Sequence, residues 1–415
     1  MSISVHDYLY VNKAQSIGIL QDLVRVPTVN PPGERYSQMV DLLCEVCRNI
    51  GLEVDVYVVP DLMVKNYIGC TDWPRYNVIA RWDVGAKKTV HFNAHYDVVP
   101  TSGRWKYNDP FNPIIDGDYL YGRGTADMKG SIGALLSAID ALKKCRIEPA
   151  FNIECSFTAD EETGGYLGAG EIIREGLCTA DFAVVCEGGG GTKVGCGHNG
   201  VLWLEVNFEG KSSHASSPEN GVNAFEAMVE VSNGLKQYKE ALGEKIKTYT
   251  DFDGVSRNPS ITIGGVFGGN QGHKINTVPA SAHFSIDRRL VPNETMKSVE
   301  SELLSRIEIL GQGVNSAKVS VEKVMSIDSC VVDPVGSLCQ SFGSAVGSVR
   351  RSKVRYGITS GFTDLHYFLV DAGIPGIGYG VKGEGVHGVD ERVRISDFIM
   401  TARTYAEFIQ RGVED

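Results

Sequence analysis

No uninterrupted apolar stretch in this chain approaches the ~20 residues that a membrane-spanning helix needs, so no membrane partner is expected. Basic clusters are also absent. Forty Lys and Arg face 51 Asp and Glu, a formal net charge of −11, which argues against nucleic acid, whose binding concentrates Lys and Arg on phosphates. An acidic surplus of this kind usually just keeps a protein soluble. The opening residues, MSISVHDYLYVNKAQ, hold no basic segment followed by an apolar one, so no signal peptide is expected. No internal repeat or low-complexity segment stands out. The ten cysteines are scattered, and Cys155, Cys186 and Cys196 fall in apolar segments. In a chain this long they read as buried free thiols of a reducing compartment, the cytoplasm. Cys44 and Cys47 form a C-x-x-C, but VDLLCEVCRNIGL has helical apolar spacing, so they read as helix core rather than redox or metal chemistry.

At 415 residues the chain exceeds a single hydrophobic core, and two domains are expected. Residues 15–29 and 36–50 read as amphipathic helices around the turn NPPGE. Strands and helices then alternate: NVIARWD, KTVHFNAHYD, the helix GSIGALLSAIDALKKC, AFNIECSFTAD, the helix YLGAGEIIREGL, and DFAVVCEG. The four glycines 188–191 read as a loop. This alternation predicts an α/β/α catalytic domain with a mixed, mostly parallel sheet. From about 201 the pattern changes. VLWLEVNFEGKSSHAS alternates as a half-buried antiparallel strand does. A helix, strands at SITIGGVF and AHFSIDRRL, and the helix ETMKSVESELLSRIEIL follow. An α+β sandwich inserted at 201–325 is expected. The catalytic domain then comprises 1–200 and 326–415.

The chemistry is concentrated between FNAHYD and TADEETGG. His95, Asp97, Asp127, Glu161 and Glu162 lie at the ends of strand-like runs or in the Gly-rich turn YGRGTADMKG. Open α/β sheets place their sites at the carboxyl ends of strands, and Glu187 occupies such a position as well. Hard oxygen donors mixed with imidazole suit Zn²⁺ or a similar divalent ion, and Asp127 in its turn can bridge two. In the pair Glu161–Glu162, successive side chains on an extended backbone point opposite ways. One can bind metal while its neighbour faces the cavity. Metal-assisted hydrolysis is the reading.

Nine motifs stand in order: HYDVVP, GRGTADMKG, DEETGG, a strand ending in Glu187, HASSPENGVNA, NTVPASA, DRRLVPNET, GFTDLHYF and VHGVDERV. Together the chain resembles the co-catalytic zinc amidohydrolases and exopeptidases. These include acetylornithine deacetylase, succinyl-diaminopimelate desuccinylase, the glutamate-releasing carboxypeptidases and aminoacylase. The resemblance implies that His95 and Glu187 hold one metal, Glu162 and His387 the other, and Asp127 bridges them. It implies two divalent ions per subunit, Zn with Co or Mn as alternatives. Asp97 would accept the second ring N–H of His95. Glu161 would be the general base that activates a metal-bound water. His214 would reach the partner subunit's active site and stabilise the oxyanion, which implies a homodimer and makes the insertion at 201–325 its lid and dimerisation domain. Asn276 and Arg289, with Gly361 and Thr363 along the same pocket, would bind a small-molecule substrate through its carboxylate. Arg288 competes with Arg289, and Asp364 is equally suited to capping the helix after it. Gly188 stands where relatives commonly have proline. His91, His283 and His366 read as structural, and His198 and His273 carry no assignment.

The expected function is metal-dependent hydrolysis of the amide bond of a small N-acylated amino acid or related carboxylate. A dipeptidase or glutamate-releasing carboxypeptidase is the alternative, since peptide cleavage needs the same water, base and Lewis acid. More distant is hydrolysis of a formyl- or aryl-amine C–N bond on the same scaffold. A binding protein without catalysis is disfavoured, because all five ligand candidates and Glu161 are present.

Overall fold

The computed structural model describes residues 3–244, 248–269, 274–314 and 316–413. They form two compact units. Residues 1–198, 331–359 and 363–415 make the first, and Asn199–Cys330 with Ser360–Phe362 make the second.

In the first unit a mixed, mostly parallel sheet runs in the order Glu53–Val58, Tyr76–Trp82, Asn152–Thr158, Thr89–His95, Phe182–Gly190, Gly376–Gly380, Lys193–His198, with Arg355–Thr359 on the last. The central strands pair parallel, and Glu53–Val58 and Tyr76–Trp82 complete one edge antiparallel. Thr89–His95 is buried at six of its seven positions, as a strand covered on both faces must be. Helix Lys129–Cys145 is buried from Lys129 to Leu142, because its Gly, Ala and Ser positions let neighbouring elements approach from all sides. Helix Tyr36–Ile50 buries Met39, Val40, Leu43, Cys44 and Cys47 along one stripe. It ends at Gly51, whose φ of 87° turns the chain away. The C-x-x-C pair is core, and all ten cysteines are free thiols.

Two segments differ from the sequence reading. The helix expected at YLGAGEIIREGL is only Ala169–Arg174, since Gly165 (φ 70°) and Gly176 (φ 65°) bracket it with backbone that a helix cannot continue. The glycines 188–191 are not simply a loop. Strand Phe182–Gly190 runs through three of them before turning. A Cβ on Gly189 would stand 2.5 Å from the Gly378 carbonyl oxygen and 2.8 Å from the Gly195 nitrogen, so only glycine lets these strands approach.

The second unit is a four-stranded antiparallel sheet in the order Ser260–Gly268, Ser281–Leu290, Gly200–Glu209, Lys318–Ile327. Alternate residues of Ser281–Leu290 are buried, the period-2 pattern read from the sequence. Leu204, Val206, Phe284 and Ile286 form one core with Val231 and Leu235 of helix Ala224–Glu244 and with Leu303 and Ile307 of Met296–Gln312.

The turn that follows Asn152–Thr158 is tied down by a buried ion pair. Arg75 Nε lies 2.7 Å from Asp160 Oδ2, and both side chains are inaccessible to solvent. Tyr36 and Asn30 donate to the other carboxylate oxygen at 3.0 and 3.1 Å. Removing one partner of such a pair leaves a buried charge uncompensated. Arg75→Met is therefore expected to cost about 3–5 kcal/mol of stability, with most of it regained in Arg75→Met/Asp160→Leu. Urea unfolding followed by circular dichroism checks this, and an unchanged midpoint in the single variant contradicts it.

Candidate metal centre

Strand register explains why distant residues meet. Thr89–His95 and Asn152–Thr158 are parallel, with His95 opposite Thr158. The turn carrying Glu161 and Glu162 therefore starts beside His95. On the other side Asn93 pairs with Val185, which brings Glu187, two residues on, level with His95. Glu187 is the sixth of nine residues in its strand rather than its last. Asp127 enters from the turn that opens Lys129–Cys145, and His387 from the segment after Gly376–Gly380.

One Asp127 oxygen is 3.3 Å from His95 Nε2, and the other is 3.1 Å from His387 Nε2. Glu162 Oε2 is also 3.1 Å from His387 Nε2, and Glu161 Oε2 lies 3.7 Å from His95 Nε2. His95, Glu161 and Glu187 group closely enough to share an ion, as do His95, Asp127 and Glu162. Glu161 and Glu162 sit on a 3₁₀ turn, Glu161–Thr163, after Asp160 at φ 65°. The extended backbone assumed for them is absent; the turn, not a pleat, separates the two carboxylates.

Other carboxylates hold the backbone in place. Asp97 accepts the N–H groups of Glu161 and Glu162, each at 3.2 Å, and a side-chain bond from Asn30 at 2.9 Å. His95 Nδ1 is 3.0 Å from the Asp97 carbonyl oxygen and 3.3 Å from its carboxylate. Glu391 accepts N–H bonds from Gly124, Ala126 and Asp127 at 2.9–3.0 Å and a 2.7 Å bond from Arg123. The Asp127 turn and the His387 segment are thereby joined. Sequence reasoning passed over Glu391, Asn30 and Arg75. Glu391 had a signal, since it stands in VHGVDERV four residues after His387.

The electrostatics ask for a cation. Burial, and then the charge of Asp127, push the Glu162 carboxyl up to about 7. Glu161 is held well above the usual range by burial and by Glu187. Glu187 is raised by burial and, against the pull of His95, by Asp127. Burial would lower His95, but its bonds to Asp127 and Asp97 outweigh that and raise it. Bonds to Asp127 and Glu162 push His387 up to about 10. Glu162 Oε1 and Glu187 Oε1 are buried without a hydrogen-bond partner. Hard oxygens left unpaired beside imidazole nitrogens are a donor set that fits divalent metal ions.

The remaining residues fall elsewhere. His214 is exposed in the second unit, its Nδ1 2.8 Å from Ser216 Oγ. It bridges to Thr277, and Ala215 N–H donates to the Asn276 carbonyl, so His214 and Asn276 come together. Arg288 is buried and clamps Glu294, while Arg289 is partly exposed and forks onto Asp287 at 2.8 and 2.9 Å. Gly361 groups with the second unit and Thr363 with the first. Thr363 Oγ1, not Asp364, takes the capping bond from Leu365 N–H. Asp364 is instead buried, with Oδ2 unpartnered, and burial pushes it up to about 7. His91 is satisfied by Glu154 and Ser156, and His366 by the Thr363 carbonyl. His273 lies outside the described residues.

Comparison with known proteins agrees with this geometry. The model of peptidase family M20/M25/M40 matches residues 91–411. An uncharacterized metallohydrolase of Methanococcus maripaludis is 25% identical over 429 residues, covering 95% of this chain and 99% of the relative. Aminoacylase-1 of Sus scrofa is 26% identical over 415 residues, covering 95% and 94%. The structure of the di-peptidase Dug1p of Saccharomyces cerevisiae superposes with a TM-score of 0.79 at 18% identity, covering 99% and 98%, a likeness of fold. The chain belongs to peptidase family M20/M25/M40 and is a metallohydrolase of amide or peptide bonds.

Proposed function

We propose that this protein hydrolyses the amide bond of a small N-acylated amino acid or a related carboxylate, using two divalent ions per subunit, Zn²⁺ foremost. The observation that carries the two-metal part of the reading is one carboxylate turned to two imidazoles, with Asp127 within 3.3 Å of His95 and 3.1 Å of His387. Two-metal hydrolases depend on such a shared ligand. His95, Asp127 and Glu187 would hold one ion, and Asp127, Glu162 and His387 the other. Ions bound there supply Lewis acidity toward the substrate carbonyl and lower the pKa of water.

The chain's own groups do the rest. Glu161 serves as the general base: it takes a proton from the attacking water on a carboxylate oxygen and hands it to the leaving nitrogen. Asp97 accepts at His95 Nδ1, which fixes the tautomer and turns Nε2 toward the site. Asn276 and Arg289 bind the substrate carboxylate, Arg289 exchanging its fork on Asp287 for the ligand. Gly361 and Thr363 are assigned to substrate binding as well. The chain acts as a homodimer, in which His214 of one subunit stabilises the oxyanion formed on the other. Ten free thiols support a reducing compartment, the cytoplasm. No helix among the described residues is long and apolar enough to cross a membrane. Aminoacylase-1 favours the deacylase side of the reading. Dipeptide cleavage, the activity named for Dug1p, is the alternative.

Elemental analysis is expected to give two metal equivalents per chain, with hydrolysis of N-acetyl or longer N-acyl amino acids lost on chelation. Turnover of dipeptides alone would sink the deacylase reading. Glu161→Ala is expected to keep both metals while turnover falls by about 10²–10⁴. Metal lost from that variant would make Glu161 a ligand instead. His214→Ala should fold, dimerise and load metal yet be nearly inactive, and near-normal turnover would contradict its role across the dimer.

A further inference from the structure

A cleft of about 430 Å³ opens within the first unit, with Asp127 and Glu187 in its wall. Gly188–Gly191 contribute no side chains to it, which keeps it open. Lys193, Arg355 and Lys382 contribute three cations, and apart from the two candidate ligands no carboxylate lines it. Lys193 and Arg355 are register partners on adjacent parallel strands. The Lys193 ammonium is anchored by a 2.8 Å bond to the Ile358 carbonyl. Lys382 lies over the glycine turn, its Cδ 3.6 Å from where a Cβ on Gly191 would stand. Arg355 and Lys382 are exposed and form no ion pair among the described residues. A chain with a net charge of −11 therefore places two exposed cations, Arg355 and Lys382, with Lys193 beside them, in one concavity next to its candidate metal ligands. Low-dielectric walls focus such a field on an anion.

We infer that this cleft takes an acyl group ending in a carboxylate, held by Lys193, Arg355 and Lys382, so that the substrate is an N-acyl amino acid whose acyl chain is itself acidic. The inference rests on the deacylase reading above. The reaction balances as simple hydrolysis. The C–N bond breaks, the water oxygen joins the acyl carbon, a proton goes to nitrogen, and a dicarboxylate and an amino acid leave.

The test pairs binding with turnover on the metal-loaded protein. Calorimetry compares glutarate with pentanoate, and kcat/KM compares N-glutaryl with N-pentanoyl derivatives of one amino acid. The anionic member is expected to win by about tenfold in both, the sum of a few exposed ion pairs. In Arg355→Ala/Lys382→Ala both ratios should fall to within about twofold, and Arg355→Glu alone should lower them too. Equal ratios in the wild type, or ratios that survive the double substitution, overturn the inference. Turnover of dipeptides but of neither N-acyl compound would sink the deacylase reading by itself. The glutarate to pentanoate ratio, with Glu-Xaa against Leu-Xaa dipeptides, then decides the cleft.

Discussion

Crowding of like charge governs this molecule. Asp127, Glu161, Glu162 and Glu187 converge on two imidazoles, and burial drives Glu161, Glu162 and Glu187 toward the protonated form. Desolvated carboxylates this close stay ionised only with cations among them. The imidazoles supply part of that charge, since His95 and His387 are raised by the same contacts that hold Asp127 low. The two unpaired oxygens of Glu162 and Glu187 mark where the imidazoles fall short. Bound divalent cations would supply the rest.

Holding such a cluster together falls to carboxylates one step behind it. Asp97 and Glu391 spend their charge on backbone N–H groups, fixing the turns at Glu161–Thr163 and around Asp127. Asp160 does the same one layer further back, through Arg75, Tyr36 and Asn30. Left-handed backbone at Asp160 and His387, costly for residues with a Cβ, is sustained because the surroundings over-determine it. Placement is thus bought with hydrogen bonds rather than with apolar packing, which cannot orient a carboxylate.

Amide and peptide hydrolysis require the same ions, base and carbonyl polarisation, so the metal centre is indifferent to which bond is cut. Selectivity has to come from the walls. The glycines at 188–191 remove side chains on one side of Glu187, and Lys193, Arg355 and Lys382 surround the opening with positive charge. In an otherwise acidic chain that local reversal of sign is the feature with most to say about the substrate.

Much was legible from the chain alone, because some constraints are local. Alternation and helical spacing identified most strands and helices. The motif order carried His95, Asp127, Glu161, Glu162, Glu187 and His387, which the fold brings together. Pairing register is not local. That Asn93 stands opposite Val185, and so sets Glu187 level with His95, follows from which strands lie side by side. The same holds for Glu391, whose partners lie more than 260 residues away, and for the glycines drawn into a strand by the approach of Gly378 and Gly195. The opposition of Glu161 and Glu162 came from a tight turn that alternation cannot foresee. Residue types and spacing determined which chemistry this protein can perform. Only tertiary structure decided which groups face one another and which cations stand at the opening, because both depend on long-range pairing and exclusion of water rather than on neighbours in sequence.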